Sequence, residues 1–124
     1  MNLILIVEDN EKNMKLVRDV LQVKGYATLE AVTAEDGIKL AIEHKPDLIL
    51  MDIHLPGMNG IEALGVLRAD PTTASIPVIA VTASVMQQDR KLITDAGFEA
   101  YVGKPINLKE FLDAVRGMLE MKRP

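Results

Sequence analysis

The chain has 124 residues, no cysteine, two histidines and a formal net charge of −4. That is the size of one domain, without disulfides, a thiolate zinc site or a cysteine nucleophile. A sequence pI near 5.1 argues against nucleic-acid binding, which needs a basic face to neutralise phosphates, and against a polybasic membrane anchor.

The chain opens with a short apolar run, Leu3–Val7, that closes on Glu8-Asp9. The start at Met1-Asn2 leaves no room for a signal peptide. Asn10–Lys24 then carries Leu16, Val17, Val20 and Leu21 at helical spacing, and Gly25 stops it. A second run, Tyr26–Val32, precedes a helix over Ala34–His44, with Ile38, Ala41 and Ile42 on its apolar side and Pro46 beyond its end. The third run, Asp47–Met51, closes on Asp52 and is followed by the turn signal Pro56-Gly57. Gly60–Ala69, with Ile61, Leu64 and Leu67, predicts a helix that ends before Pro71. Pro77–Val81 leads into Thr82-Ala83, and Met86–Ala96 is a helix closed by Gly97. Ala100–Val102 leads into Gly103-Lys104-Pro105. The last helix, Asn107–Met121, places Leu108, Phe111, Leu112, Val115 and Leu119 on one face. Asn107 is its predicted N-cap, and Glu110, three residues on, is expected to complete a capping box.

Three of the apolar runs have almost no polar alternation, which is how strands buried on both faces read. The order of elements is (βα)₅. Alternation of this kind predicts a parallel sheet with helices on both faces, joined by right-handed crossovers. Five units suit a doubly wound, flavodoxin-like sheet of order 2-1-3-4-5, whose ligands bind beyond the carboxyl ends of the strands where the order reverses.

That rule directs attention to the strand ends. Glu8 and Asp9 follow the first strand and Asp52 ends the third, its neighbour in the predicted order. Two like charges ~4 Å apart repel by about 1–4 kcal/mol between bulk-water and surface-like dielectric, so three carboxylates need a cation or a proton. Hard oxygen donors on a shallow site favour Mg²⁺, which keeps several waters and shares its remaining positions with phosphate. Glu8 and Asp9 also suit the N-terminus of the first helix as simple caps; that does not account for Asp52 at the end of an apolar strand. Thr82 supplies a hydroxyl, Ala83 a backbone N–H and Lys104 a positive charge at the same end. Together these groups can surround a phosphoryl group.

The runs VEDN at 7–10, KPDLILMDIHLPGMNG at 45–60, IPVIAVTAS at 76–84 and AYVGKP at 100–105 resemble the receiver domain of two-component response regulators over essentially the whole chain. VEDNEKNMKL, DLILMDIHLP and KPIN more loosely resemble the stand-alone cell-division regulators of that family. The resemblance implies that Asp52 accepts a phosphoryl group from a phosphohistidine on a sensor histidine kinase or histidine phosphotransfer protein. It implies Mg²⁺ held by Asp9, Asp52 and the backbone carbonyl of His54, with Glu8 acting through metal-bound water. Lys104, Thr82 and the N–H of Ala83 would contact the phosphoryl oxygens. Thr82 and Tyr101 would form the switch, His54 and Ser84 would tune the lifetime of the phosphoryl group, and Lys104-Pro105 would be a cis peptide. Kinase docking would fall on Asn10, Asn13 and Leu16 with Pro105 and Ile106. Glu8 stands where Asp is commoner in the family, a longer arm with the same charge.

A phosphatase with an aspartyl nucleophile wants a second Asp two residues after the first, where this chain has His54. A dinucleotide-binding domain wants G-x-G-x-x-G after the first strand, which is absent. A receiver domain fills the available length, so 1–124 is expected to be a single domain without an output domain. Its output is then a surface that binds a downstream protein, as a cytoplasmic monomer or weak dimer. It would act either as an allosteric regulator or as a shuttle between histidines, and not as an enzyme.

Overall fold

The computed structural model describes residues 2–83 and 87–121. Strands β1 (Leu3–Val7), β2 (Ala27–Ala31), β3 (Leu48–Asp52), β4 (Val78–Thr82) and β5 (Ala100–Gly103) alternate with helices α1 (Glu11–Val23), α2 (Ala34–His44), α3 (Gly60–Ala69), α4 (Gln87–Ala96) and α5 (Leu108–Met121). All strand pairs are parallel and the sheet order is β2-β1-β3-β4-β5, the predicted doubly wound topology.

The period of two along each strand divides the core into two layers. Leu5, Val7, Ile49, Met51, Val78 and Ala80 face α2, α3 and α4, where Ala41, Leu64, Leu67 and Ile93 meet them. Ile4, Ile6, Leu48, Leu50, Ile79 and Val81 face α1 and α5, against Met14, Val17, Leu21, Phe111 and Val115. Each of the Val, Leu, Ile, Met and Phe side chains among them, taken fully out of water, contributes about 1.5–3 kcal/mol, so both faces of β1, β3 and β4 are committed and their register cannot slip by one residue.

Helix starts follow the side chains that can accept from the orphan N–H groups. Asn10, Thr33 and Asn59 accept from the N–H of Asn13, Asp36 and Glu62. Asn107 accepts from Glu110 N–H at 3.1 Å, as expected of a cap, but the return bond from the Glu110 side chain is not made. Glu110 instead borders a groove with Arg90 and Tyr101. The complete capping box is at α3, between Asn59 and Glu62. On α1, Met14 is buried in place of Leu16, which is 39% exposed. Leu16 sits one position too far round the helix to reach the sheet. Ile42 and Leu108, assigned to the apolar faces of their helices, are likewise exposed. No described helix is long and apolar enough to cross a membrane.

Candidate phosphoryl-accepting site

Strand parity builds the site. Glu8 continues the series Ile4-Ile6, Asp52 continues Leu48-Leu50, and Lys104 continues Val102, so all three point to the α1/α5 side of the sheet. Register brings them level, because Val7 pairs with Met51 and Asp52 with Val81. Lys104 N–H donates to Thr82 O at 2.8 Å, just past the last β4–β5 pair. The result is a compact cluster. Glu8 and Asp52 are buried, and Glu8, Asp9 and Asp52 each place a carboxylate oxygen within 4.8 Å of the others. Lys104 Nζ lies 3.1 Å from Glu8 Oε1 and 3.2 Å from Asp52 Oδ2.

Backbone donors fix the acids. Asn10 N–H donates to Glu8 Oε2 at 3.0 Å and His54 N–H donates to Asp52 Oδ1 at 3.0 Å. Glu8 therefore turns back over the start of α1, and the loop after β3 wraps onto its own terminal carboxylate. Burial pushes the Glu8 carboxyl above its ordinary range; the Asn10 N–H works against this, and the neighbouring charge of Asp52 adds to it. For Lys104, burial would favour the neutral amine, but the hydrogen bond to Glu8 and the charge of Asp52 outweigh it and raise its pKa. Three carboxylates face one ammonium. Among the described residues this is the one cluster of acids and histidines arranged to hold a metal ion, and its all-oxygen donor set suits a hard divalent cation.

Thr82 continues Val78-Ala80 and so points to the opposite, α3/α4 side. It is buried and lines a cavity of about 400 Å³ with His54, Asn59, Leu92 and Ile93. Tyr101, level with Ala80 on the next strand, shares that side. It is exposed, and the Arg90 guanidinium sits 5.6 Å above its ring centroid. Ala83 is exposed, as is the His54 side chain. Ser84 lies outside the described residues, as does Met86, the expected start of α4. The Lys104–Pro105 peptide is cis. Asn10, Leu16 and Pro105 are exposed and Asn13 and Ile106 half-buried, so the expected docking positions do reach the surface.

One residue of the site was not singled out from the sequence. A Cβ at Gly60 would lie 2.5 Å from the Asp52 carbonyl oxygen and 3.0 Å from Ile53 Cα. Gly60 thus lets the start of α3 press against the strand end that carries Asp52, and its N–H donates to Ile53 O at 3.1 Å. The sequence places Gly60 at the start of a helix, with nothing to mark the close approach.

A parallel doubly wound sheet with an acidic pocket and a lysine at its switch point defines a receiver fold. The chain belongs to the response regulator receiver domain family, whose description matches residues 4–116. The polar-differentiation response regulator DivK of Brucella anthropi is 46% identical over 116 residues, 94% of this chain and 94% of that one. DivK of Brucella ovis is similar to the same extent. Among solved structures, the receiver domain of a sensor histidine kinase from Pseudomonas aeruginosa, described with a magnesium ion coordinated in its active-site cleft, matches with a TM-score of 0.89 and 30% identity over 96% of this chain and 98% of that one. A CheY-like receiver domain protein from Methanospirillum hungatei gives a TM-score of 0.89 and 28% identity, with 98% and 96% covered.

Proposed function

We propose that the chain is a phospho-accepting signalling switch and not a turnover enzyme. Its donor is a phosphohistidine on a sensor histidine kinase or histidine phosphotransfer protein, and its acceptor is Asp52. The observation that carries this reading is a buried strand-end carboxylate, Asp52, held 3.2 Å from Lys104 within a group of three acids. A carboxylate oxygen of Asp52 forms the new P–O bond as the P–N bond of the donor breaks; the electron pair of that bond returns to the imidazole, which takes up a proton.

Glu8, Asp9 and Asp52, with the backbone carbonyl of His54, are the groups that would hold Mg²⁺. The ion would supply charge neutralisation for the carboxylates and for the phosphoryl oxygens. Lys104 holds one of those oxygens by its ammonium, and the Thr82 hydroxyl and Ala83 N–H donate to another. A hydrogen bond to a charged acceptor contributes about 1.5–3 kcal/mol, enough to shift a two-state loop equilibrium roughly ten- to a hundredfold. Drawing Thr82 toward the phosphoryl group frees space on the side it shares with Tyr101. Tyr101 turns inward and changes the surface that a downstream protein reads. The name of the Brucella relatives, polar-differentiation response regulators, supports a regulatory role; the proposal adds a protein target in the cytoplasm and a monomer or weak dimer.

The test is incubation with Mg²⁺ and acetyl phosphate followed by intact-mass measurement. Wild type gains one phosphoryl group and Asp52→Asn gains none. A phosphorylated Asn variant overturns the assignment of the acceptor.

A further inference from the structure

The opposite end of the sheet holds a second cluster of charged groups, unconnected to the acidic pocket. Arg68, in the last turn of α3, is only 26% exposed at its side chain and donates five hydrogen bonds. Nη1 reaches Ala74 O at 3.2 Å and Ile76 O at 2.7 Å, in the segment before β4. Nη2 reaches Gly97 O at 3.4 Å, just past α4, and both carboxylate oxygens of Glu99 at 2.8 Å. Glu99 Oε1 also accepts from the N–H of Val78, the first residue of β4, at 2.8 Å, while Glu99 N–H donates to Val78 O at 3.1 Å. Glu99 is therefore bound to the start of β4 through backbone and side chain at once, and Arg68 holds that carboxylate in place.

The residue after Glu99 begins β5. This strand is four residues long, lies at the sheet edge and pairs only with β4. Short edge strands specify their register weakly. A slip of two residues would keep every side chain on its own side of the sheet, yet carry Lys104 and Tyr101 along β4 by roughly 6–7 Å, at ~3.3 Å per residue. Parity cannot forbid that slip, and β5 offers only one fully buried side chain, Val102, to resist it. The Arg68–Glu99 pair resists it directly, because Glu99 can hold Val78 N–H only when Ala100 lies beside Ile79.

We propose that Arg68 and Glu99 are positioning residues for phosphoryl acceptance: from the far end of the sheet they set the register of β5 and so place Lys104 against Asp52 and Tyr101 beside Thr82. This rests on the acceptor role of Asp52 given above. The contacts bind no phosphoryl group; they act through the strand.

The test compares wild type with Arg68→Met, which keeps the stem and removes the donors, Arg68→Lys, and Glu99→Gln. A stability control, Val17→Ala, lies in the other core layer. Two readouts are taken well below the melting temperature: the rate of phosphorylation by acetyl phosphate at saturating Mg²⁺, and hydrogen exchange of the amides of residues 100–104. Arg68→Met and Glu99→Gln are expected to slow phosphorylation at least fivefold and to lose protection in β5, with Arg68→Lys intermediate. Val17→Ala should lower the melting temperature with neither change. Wild-type rates and wild-type β5 protection in Arg68→Met overturn the proposal, as does an equal slowing by Val17→Ala. Should Arg68→Met not fold, Glu99→Gln decides by the same criteria. If wild type itself takes up no phosphoryl group, the acceptor assignment fails, and β5 protection alone still decides whether the pair sets the register.

Discussion

The two ends of the sheet use the same ingredients, carboxylate and cation, to opposite effect. At the amino end, Glu99 meets Arg68 through two bonds at 2.8 Å and every remaining contact of the guanidinium is a carbonyl. One negative charge faces one positive charge, with Nη2 shared between the two carboxylate oxygens in a charge-assisted contact. At the carboxyl end, Glu8, Asp9 and Asp52 face Lys104, so three negative charges against one positive leave 1 − 3 = −2. Desolvated like charges are costly. A fold that balances charge at one end and leaves it unbalanced at the other has tolerated instability at the end where we propose that a cation and a phosphoryl group bind, a pattern expected of functional sites.

That contrast can be broken at several points. The largest effect is expected of Asp9→Asn, which removes one charge and one ligand from the unbalanced end. Loss of a charge interaction of about 1–4 kcal/mol weakens Mg²⁺ binding by about fivefold to nearly a thousandfold, as titration calorimetry would show. Unchanged affinity would mean that Asp9 serves only the start of α1. At the balanced end, Arg68→Met leaves Glu99 and two buried-side carbonyls without their donor. It should destabilise the protein by about 2–3 kcal/mol, the scale of hydrogen bonds to a charged group, measured by urea unfolding.

Glu8→Gln should do the reverse and stabilise the metal-free protein at neutral pH by about 1 kcal/mol, the lower end of such a charge interaction. The sign follows from its raised pKa. Between the ordinary glutamate value of 4.5 and the raised folded value, the native state binds the proton more tightly than the unfolded state. Stability contributed by Glu8 is therefore fully present at low pH and lost as pH rises through that window. Unfolding free energies of Glu8→Gln measured across the window should lack that decline. A variant less stable than wild type at neutral pH would show that the bonds to Asn10 and Lys104 outweigh the repulsion.

The smallest effect is expected of His54→Ala. The His54 side chain is exposed and makes no hydrogen bond among the described residues that would fix it over Asp52. Its loss should alter the phosphoryl half-life by less than about tenfold, against the 10²- to 10⁴-fold scale of a positioned general base. Decay of the phosphorylated mass decides between them.

The acidic end was far more legible in the sequence than the balanced one, for a physical reason. Glu8, Asp9, Asp52, Thr82 and Lys104 each stand at the end of an apolar run, and strand order alone brings those ends together. Arg68 and Glu99 are separated by 31 residues and sit in loops and a helix end where charged residues are ordinary. Nothing local marks them as partners. The last strand runs one residue past its apolar run Ala100–Val102, to Gly103, because pairing with Thr82 continues past the last apolar side chain. Leu16 was misplaced because two adjacent apolar stripes on one helix differ by only a small rotation, which the position of the sheet decides. Gly60 escaped notice because its role lies in an absent atom.

The stacking of Arg90 on the exposed ring of Tyr101 has an optical consequence. The chain contains two tyrosines and no tryptophan, so no indole absorbs or masks phenol emission. Tyr26 is half-buried at the far end of the sheet and contributes a steady background. Any rearrangement that takes Tyr101 out of water and away from the guanidinium changes the other half of the phenol signal. The unlabelled protein therefore carries its own reporter of the proposed switch, readable in real time in a cuvette as phosphoryl donor is added.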